Sequence, residues 1–209
     1  MRRLLACLVA SFAGIAVAHA APPTEGREYQ VLEPARPTAP GKIEVLEFFY
    51  YGCAVCYEAE PHLARWQRAA DPGVVLHRIP AVSNESWEPL ARAYFALEAM
   101  GERDRLHWPL FDNHHFDGRE LDKEDNLIAW LAANGVDIAR FKLERASVDT
   151  RQKIEYARRM GGMHQVRAVP TLVVGGRYAT SARMAGGVRE MIAVLDFLVE
   201  RVRRERATK

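Results

Sequence analysis

Cysteine is scarce in this sequence, and neither sign of charge is in clear excess. Only 3 of the 209 residues are cysteine, and 29 lysines and arginines accompany 27 aspartates and glutamates. A protein of this length can bury a core without being stapled by several disulfide bonds. The near balance of charge gives no reason to expect a nucleic-acid-binding surface.

Apolar runs long enough to span a membrane are also missing. The apolar stretch at residues 4–17 is shorter than the roughly 20 residues that a membrane-spanning helix needs. It follows two arginines and precedes Ala18-His19-Ala20, a small-x-small pattern typical of signal-peptide cleavage. We therefore expect residues 1–20 to be a signal peptide that is removed, and not a membrane anchor. Removal takes away two arginines and Cys7, which leaves 27 basic and 27 acidic side chains and two cysteines.

The segment around the two remaining cysteines changes from a strand pattern to a helix pattern. Residues 42–51, KIEVLEFFYY, are β-branched and aromatic, which predicts a buried strand. After Cys53, apolar residues recur at spacings of three and four, which predicts a helix. Residues 74–81, VVLHRIPA, predict a second strand. Strand, helix and strand in this order indicate a βαβ unit with two parallel strands.

The rest of the chain predicts a block of helices followed by a hairpin and a last helix. The block starts after Ser86, the expected cap residue, and ends with a long helix over about residues 148–160. Residues 172–180 predict a β-hairpin that turns at Gly175-Gly176, and residues 188–202 predict an amphipathic helix. With a short strand at residues 29–32, the predicted order is strand, strand, helix, strand, helical block, hairpin and helix.

Cys53 and Cys56 form a Cys-x-x-Cys motif, which is compatible with a zinc site or with a redox-active dithiol. A disulfide between them closes a very short loop and adds little stability to the fold. Redox chemistry is therefore a better explanation for the cysteine pair than stabilisation. Cys53 is expected at the start of a helix, where free backbone N–H groups and the helix dipole favour the thiolate. Cys56 falls on the apolar face of that helix and should be more buried. This asymmetry indicates that Cys53 attacks and that Cys56 resolves the mixed disulfide.

Two motifs together resemble the DsbA family of periplasmic thiol:disulfide oxidoreductases. They are VLEFFYYGCAVC at residues 45–56 and VRAVPTLVVGGRY at residues 166–178, while WPLF at residues 108–111 resembles part of that family's helical insertion. The resemblance implies an α/β, thioredoxin-like fold with an inserted helical domain. It places the thioredoxin-like domain at residues 21–82 and 161–209, and the helical insertion at residues 83–160.

The resemblance also implies roles for individual residues. Cys53 and Cys56 match the redox-active pair, and Pro170 matches a cis-proline beside that pair. Val169 would offer backbone groups to an extended substrate, in the manner of an added β-strand. Glu47 matches a buried acidic residue beneath the active site. Three interpretations of Glu47 are open: it handles protons for the thiols, it faces solvent, or it is a salt-bridge partner. We favour the first.

Ala54 and Val55 depart from the family pattern, in which the two inner positions are usually Pro and His. We expect both side chains, like Val169 and Pro170, to contact substrate. Val55 has neither a charge nor a hydrogen-bond donor, so it cannot favour the thiolate as that His does. The helix dipole that remains is worth only about 0.3–1 kcal/mol at an exposed site. The sequence therefore predicts a less acidic Cys53 thiol and a weaker oxidant than is usual in the family.

The expected activity is the introduction of disulfide bonds into unfolded exported proteins that carry cysteines. We expect a periplasmic monomer without a cofactor, and the resemblance implies reoxidation by a DsbB-like, quinone-linked membrane oxidase. One alternative is a periplasmic peptide-binding, chaperone-like module with a weak or reductive redox role. The other is a zinc site, in which the cysteines would be joined by one or more of His62, His77, His114, His115 and His164. The adjacent pair His114 and His115 is expected in a polar loop.

Overall fold

A computed structural model describes residues 21–36, 38 and 41–208 of the chain. The predicted signal peptide, residues 1–20, lies outside the described residues. Among the helices that are described, none combines the length and the apolar character that crossing a membrane requires.

A five-stranded mixed sheet forms the centre of the molecule. Its strands are adjacent in the order β1-β5-β4-β2-β3. The strands β2 and β3 run parallel, and the other three pairs are antiparallel. The predicted βαβ unit is therefore confirmed. The bounds are β1 Gln30–Val31, β2 Ile43–Phe49, β3 Val74–Pro80, β4 Thr171–Val174 and β5 Tyr178–Ser181.

Eight α-helices accompany the sheet within the described part of the chain, and five of them follow one another between β3 and β4. Those five are the predicted helical block, and the last helix is the predicted amphipathic helix. The bounds are α1 Ala54–Ala69, α2 Glu88–Met100, α3 Arg103–His115, α4 Glu124–Ala133, α5 Ile138–Ala146, α6 Val148–Met163, α7 Ala182–Ala185 and α8 Val188–Ala207.

Two apolar cores pack against the sheet. One contains Val45 of β2 and Leu63 of α1 together with the buried face of α8. The other contains Phe48 of β2 and Phe111 of α3, and it extends through the five inserted helices. Cys56 belongs to this second core. Because α1 contributes to both cores and contacts α3 and α8, its first turn is held firmly at the junction of the sheet and the helical block.

The sequence misplaced some helix boundaries. Ser86 does not cap α2, since it lies within a 3₁₀ turn at Glu85–Trp87, and Trp87 occupies the cap position. The long helix α6 continues to Met163, three residues beyond the expected end, and so includes Gly161 and Gly162. The expectation of a polar loop for His114 and His115 is wrong, because both lie in the last turn of α3.

Candidate active site

Cys53 caps the N-terminus of α1. Its backbone is extended, with φ −93° and ψ 114°, and its side chain accepts a hydrogen bond from the N–H of Cys56. The distance from that nitrogen to Cys53 Sγ is 3.3 Å. The first turn of a helix leaves backbone N–H groups without intrahelical partners. The Cys53 sulfur accepts a hydrogen bond from one of these N–H groups and lies close to others.

The donors around Cys53 Sγ favour its ionised form. A hydrogen bond from the Cys56 thiol, supported by the backbone N–H groups of Cys56 and Val55, lowers the pKa of Cys53 to about 6 against the opposing effect of partial burial. The Val55 side chain is 42% exposed and apolar, so this residue contributes only its backbone N–H. At neutral pH, reduced Cys53 is therefore mostly a thiolate, which is the nucleophilic form of cysteine.

Cys56 lies in the opposite environment. It is completely buried, whereas Cys53 is half-buried, and both are free thiols in this structure. Burial, together with the neighbouring Cys53 sulfur and the charge of Glu47, raises the pKa of Cys56 far above its ordinary value. The reduced pair thus consists of one half-buried but accessible thiolate and one fully buried neutral thiol, a combination in which only one sulfur can begin an exchange reaction.

The loop before β4 brings Val169 and Pro170 next to the attacking sulfur. The Val169–Pro170 peptide bond is cis, and the carbonyl oxygen of Val169 lies 3.5 Å from Cys53 Sγ. Ala54, the residue after Cys53, is exposed at the start of α1. A cavity of about 530 Å³ lies beside this loop, and its lining includes Val55, Glu58, Val169, Pro170, Ala182 and Val188.

Glu47 is fully buried in β2, an interior strand of the sheet. The interpretation as a carboxylate that faces solvent is therefore wrong. In register it lies between Arg78 of β3 and Leu172 of β4. Arg78 Nε is 3.1 Å from Glu47 Oε2, but its N–H is directed at Glu60, and neither Glu47 oxygen accepts a hydrogen bond from a described residue. Burial and the charge of Glu60 raise the pKa of Glu47 to about 8, and Arg78 opposes this rise only in part.

Sequence reasoning missed the other members of a buried polar cluster around Glu47. Arg78 Nη2 lies 2.7 Å from Glu60 Oε1, and Glu60 Oε2 lies 3.3 Å from His107 Nε2. His107 Nδ1 in turn lies 2.7 Å from the hydroxyl of Tyr51. The carboxyl of Glu60 loses solvation on burial, which raises its pKa, but His107 and Arg78 more than offset this and lower it overall.

One sequence signal could have located this cluster. Glu60 lies four residues after Cys56, which places it on the same face of α1, and a carboxylate on an otherwise apolar face needs a partner. The partner Arg78 stands in the middle of an apolar strand, which is a second anomaly of the same kind. The histidines that were considered as zinc ligands do not form a metal site with Cys53 and Cys56. No group of three or more potential metal ligands occurs among the described residues.

Comparison with known proteins identifies the family. Residues 63–198 match the family model described as DSBA-like thioredoxin domain. The chain is 35% identical over 179 residues to the thiol:disulfide interchange protein DsbA of Azotobacter vinelandii. The aligned residues make up 85% of this chain and 84% of that protein. The chain is 30% identical over 207 residues to the Burkholderia cepacia protein of the same name, covering 97% of this chain and 98% of the relative.

Solved structures agree with this assignment. The crystal structure of Pseudomonas aeruginosa DsbA superposes with a TM-score of 0.82 at 34% identity, covering 89% of this chain and 97% of that one. The oxidoreductase DsbA from Xylella fastidiosa gives a TM-score of 0.80 at 30% identity, with 87% and 98% covered. The expectation of a thioredoxin-like α/β fold with inserted helices is thereby confirmed. The chain belongs to the family of DsbA-like thioredoxin domains, and it is a thiol:disulfide oxidoreductase that introduces disulfide bonds into its substrate proteins.

Proposed function

We propose that Cys53 is the sulfur that forms the mixed disulfide with substrate and that Cys56 is the sulfur released and later re-engaged. In the oxidised protein, a substrate thiolate attacks Cys53 Sγ, a new intermolecular S–S bond forms, and the Cys53–Cys56 bond breaks. Cys56 leaves with the electron pair and takes up a proton. A second substrate thiolate then attacks the substrate sulfur of the mixed disulfide, which completes the substrate disulfide and releases Cys53 as a thiolate.

The observation that carries this proposal is the unequal environment of the two sulfurs. Cys53 accepts a hydrogen bond at the helix start and is half-buried, whereas Cys56 is completely buried. A stabilised Cys53 thiolate is a good leaving group, which favours transfer of the disulfide to the substrate. The accessibility of the two sulfurs also supports the assignment, since an incoming substrate chain can contact Cys53 but not Cys56.

Glu47 is proposed to supply and accept the proton of Cys56. The Cys56 sulfur needs a proton when it is released, because its burial disfavours the thiolate. Glu47 is buried, lies close enough to influence the Cys56 thiol electrostatically, and has its pKa raised to about 8 by burial. A carboxyl group that is largely protonated at neutral pH can donate a proton during substrate oxidation and take it back during reoxidation.

Val169, Pro170, Ala54 and Val55 are proposed to receive the substrate. Ala54 and Val55 follow Cys53 in the chain, and the Val169 carbonyl lies 3.5 Å from its sulfur. The cavity beside the Val169–Pro170 loop offers room for side chains that flank a substrate cysteine. Contacts to backbone groups are independent of side-chain identity. Such a surface suits unfolded exported proteins with varied sequences around their cysteines.

The wider setting is also a proposal. The signal-peptide pattern at residues 1–20 supports a periplasmic location, where disulfides persist, and the family relationship supports reoxidation by a DsbB-like, quinone-linked membrane oxidase. We propose a monomer built from a thioredoxin-like domain, residues 21–82 and 161–209, and a helical domain, residues 83–160. The inserted helices, which run from Glu88 to Met163, support this division within a few residues.

The decisive experiment compares wild type with two serine variants in the oxidative refolding of a reduced substrate protein whose native state contains disulfide bonds. Cys53→Ser should have no oxidase activity and form no covalent complex. Cys56→Ser, incubated instead with the disulfide form of the substrate, should accumulate a mixed disulfide through Cys53. The Cys53 thiolate attacks the substrate disulfide, the other substrate sulfur leaves as a thiolate, and no Cys56 thiol is present to displace Cys53. If Cys53→Ser protects the substrate as well as wild type does, the chain is a peptide-binding, chaperone-like module and the proposed roles are wrong.

A further inference from the structure

His107 of α3 lies where the inserted helices meet the buried cluster around Glu47. Its side chain is nearly buried, with 8% of the residue exposed. One ring nitrogen, Nδ1, is 2.7 Å from the Tyr51 hydroxyl. The other, Nε2, is 3.3 Å from Glu60 Oε2 and has no hydrogen-bond partner of good geometry among the described residues. The disulfide-exchange steps described above leave this residue without a role.

The geometry suits a group that passes protons on. A neutral imidazole carries its proton on one nitrogen and accepts on the other, and Tyr51 can either donate to Nδ1 or accept from it. In the first case Nε2–H faces Glu60, and in the second a bare nitrogen faces it. Burial, assisted by Arg78 and Arg103, lowers the pKa of His107 despite the opposing effect of Glu60. At neutral pH the ring is therefore uncharged and able to take up a proton.

His107 borders a cleft whose lining also includes the exposed residues Arg68 and Asp104. His107 and Glu60 both line this cleft of about 490 Å³ between the sheet side and the inserted helices, together with Arg78, Tyr94, Arg103 and Trp108. Among the described residues, none lines both this cleft and the cavity beside the Val169–Pro170 loop. Glu60 also touches Arg78, whose Nε lies 3.1 Å from Glu47 Oε2 and 3.2 Å from Glu60 Oε2. The two carboxyl groups therefore share one guanidinium nitrogen.

We propose that His107 passes the proton of the buried dithiol between Glu60 and the cleft, so that protons and substrate reach the active site by separate routes. During substrate oxidation Glu47 gives its proton to the released Cys56 sulfur, and Glu60 and His107 replace that proton from water in the cleft. During reoxidation the same proton leaves in the reverse order. His107 is thus a positioning residue that acts on Cys56 through the two carboxyl groups, and the inference rests on the proposed role of Glu47.

The charged and titratable groups around His107 belong to three elements besides its own and to the loop before α1. They are Tyr51 before α1, Glu60 of α1, Arg78 of β3, and Tyr94 and Glu98 of α2, with Arg103 and Asp104 on α3 itself. Arg103 lies over the Tyr94 ring at 5.8 Å and pairs with Glu98. A pH dependence of the rate that is due to His107 should therefore be lost in a variant at residue 107, whereas one that is due to these neighbours should remain.

The experiment measures the rate at which the oxidised full-length mature protein is reduced by a small dithiol, from about pH 6 to pH 9, for His107→Ala and His107→Gln. We expect both variants to react about tenfold more slowly at neutral pH, below the roughly 10²–10⁴ of direct general acid–base catalysis because His107 acts through other groups. Added imidazole should enter the cleft and restore the rate of His107→Ala in a saturable way. The redox potential should stay unchanged, because a relay alters rates and not equilibria.

The matched control is His164→Ala. His164 is also buried, with 2% of the residue exposed, but its Nδ1 is bonded to the Met160 carbonyl and it does not line the cleft. Its rate should equal that of wild type. Wild-type rates in His107→Gln, or a slow His107→Ala that imidazole does not restore, would overturn the inference. If Glu47→Gln is slow in the same assay while the His107 variants are fast, the proposed function stands and only the route is wrong.

Discussion

The substitution Val55→His tests how the helix start sets the oxidising strength of this protein. Val55 lies in the first turn of α1, with its side chain 42% exposed and its backbone N–H directed at the Cys53 sulfur. An imidazole can therefore be introduced without filling the core or removing a backbone donor. A charge at this position interacts with Cys53 only in the reduced protein, because the disulfide form carries no charge on sulfur.

The size of the effect follows from Coulomb's law. For an imidazolium about 6 Å from Cys53 Sγ and an effective dielectric constant of about 40 at this half-exposed site, the attraction is about 1.4 kcal/mol. This lowers the pKa of Cys53, which is about 6 in the present protein, by about one further unit. At about pH 7 the reduced form gains about 0.7–1.3 kcal/mol, depending on how far the imidazole is protonated, and the redox potential rises by about 15–30 mV.

Equilibration with glutathione buffers, followed by quenching and separation of the oxidised and reduced forms, measures this potential. Val55→Gln is the matched control, since it adds a polar side chain of similar reach without a charge, and it should leave the potential close to that of wild type. An unchanged or more negative potential in Val55→His would refute the electrostatic reasoning. An equal rise in Val55→Gln would show that polarity, and not charge, sets the potential.

Three other predictions concern reactivity and stability. Brief treatment of the reduced protein with iodoacetamide at about pH 7 should alkylate Cys53 and spare Cys56, as peptide mapping can show, and equal labelling would contradict the assigned burial. Because burial raises the pKa of Glu47 from 4.5 to about 8, the stability linked to its protonation is complete below about pH 4.5 and is lost as the pH rises through about 8. In urea unfolding, Glu47→Gln should therefore be more stable than wild type by a few kcal/mol at about pH 9 and similar at about pH 4, and an equal difference at both would exclude titration as the cause. Gly176→Ala should destabilise the fold by more than about 2 kcal/mol, since its Cβ would lie 2.3 Å from the Arg36 carbonyl oxygen, whereas Gly101→Ala, also at positive φ but in open space, should cost about 1 kcal/mol.

Local sequence patterns were sufficient for the catalytic half of the fold. The β-branched and aromatic run before Cys53 and the apolar spacing after it give β2 and α1 within a residue or two. The Gly175-Gly176 turn fixes the hairpin that follows Pro170, because both glycines adopt positive φ. These features depend on periods and turn residues that are readable within about ten positions.

The buried polar cluster depends instead on tertiary contacts. Glu47 meets Arg78 only because of the register of the parallel strands, and His107 reaches Glu60 only because α3 packs against α1. No local pattern specifies either arrangement. The helical block was predicted without a separate helix at α5, although its cap Asp137, which accepts a hydrogen bond from the Arg140 N–H, is a residue type typical of helix starts.

Titration of the reduced protein by thiolate absorbance tests the central claim most directly, namely that the fold makes Cys53 an accessible thiolate and keeps Cys56 a buried thiol. We expect one thiolate to form with a midpoint near pH 6, to be absent in Cys53→Ser, and to persist in Cys56→Ala at a somewhat higher pH, because alanine has no side-chain donor to replace the Cys56 thiol. A first midpoint near the ordinary value of about 8.5, or a low midpoint that survives in Cys53→Ser, would contradict the account.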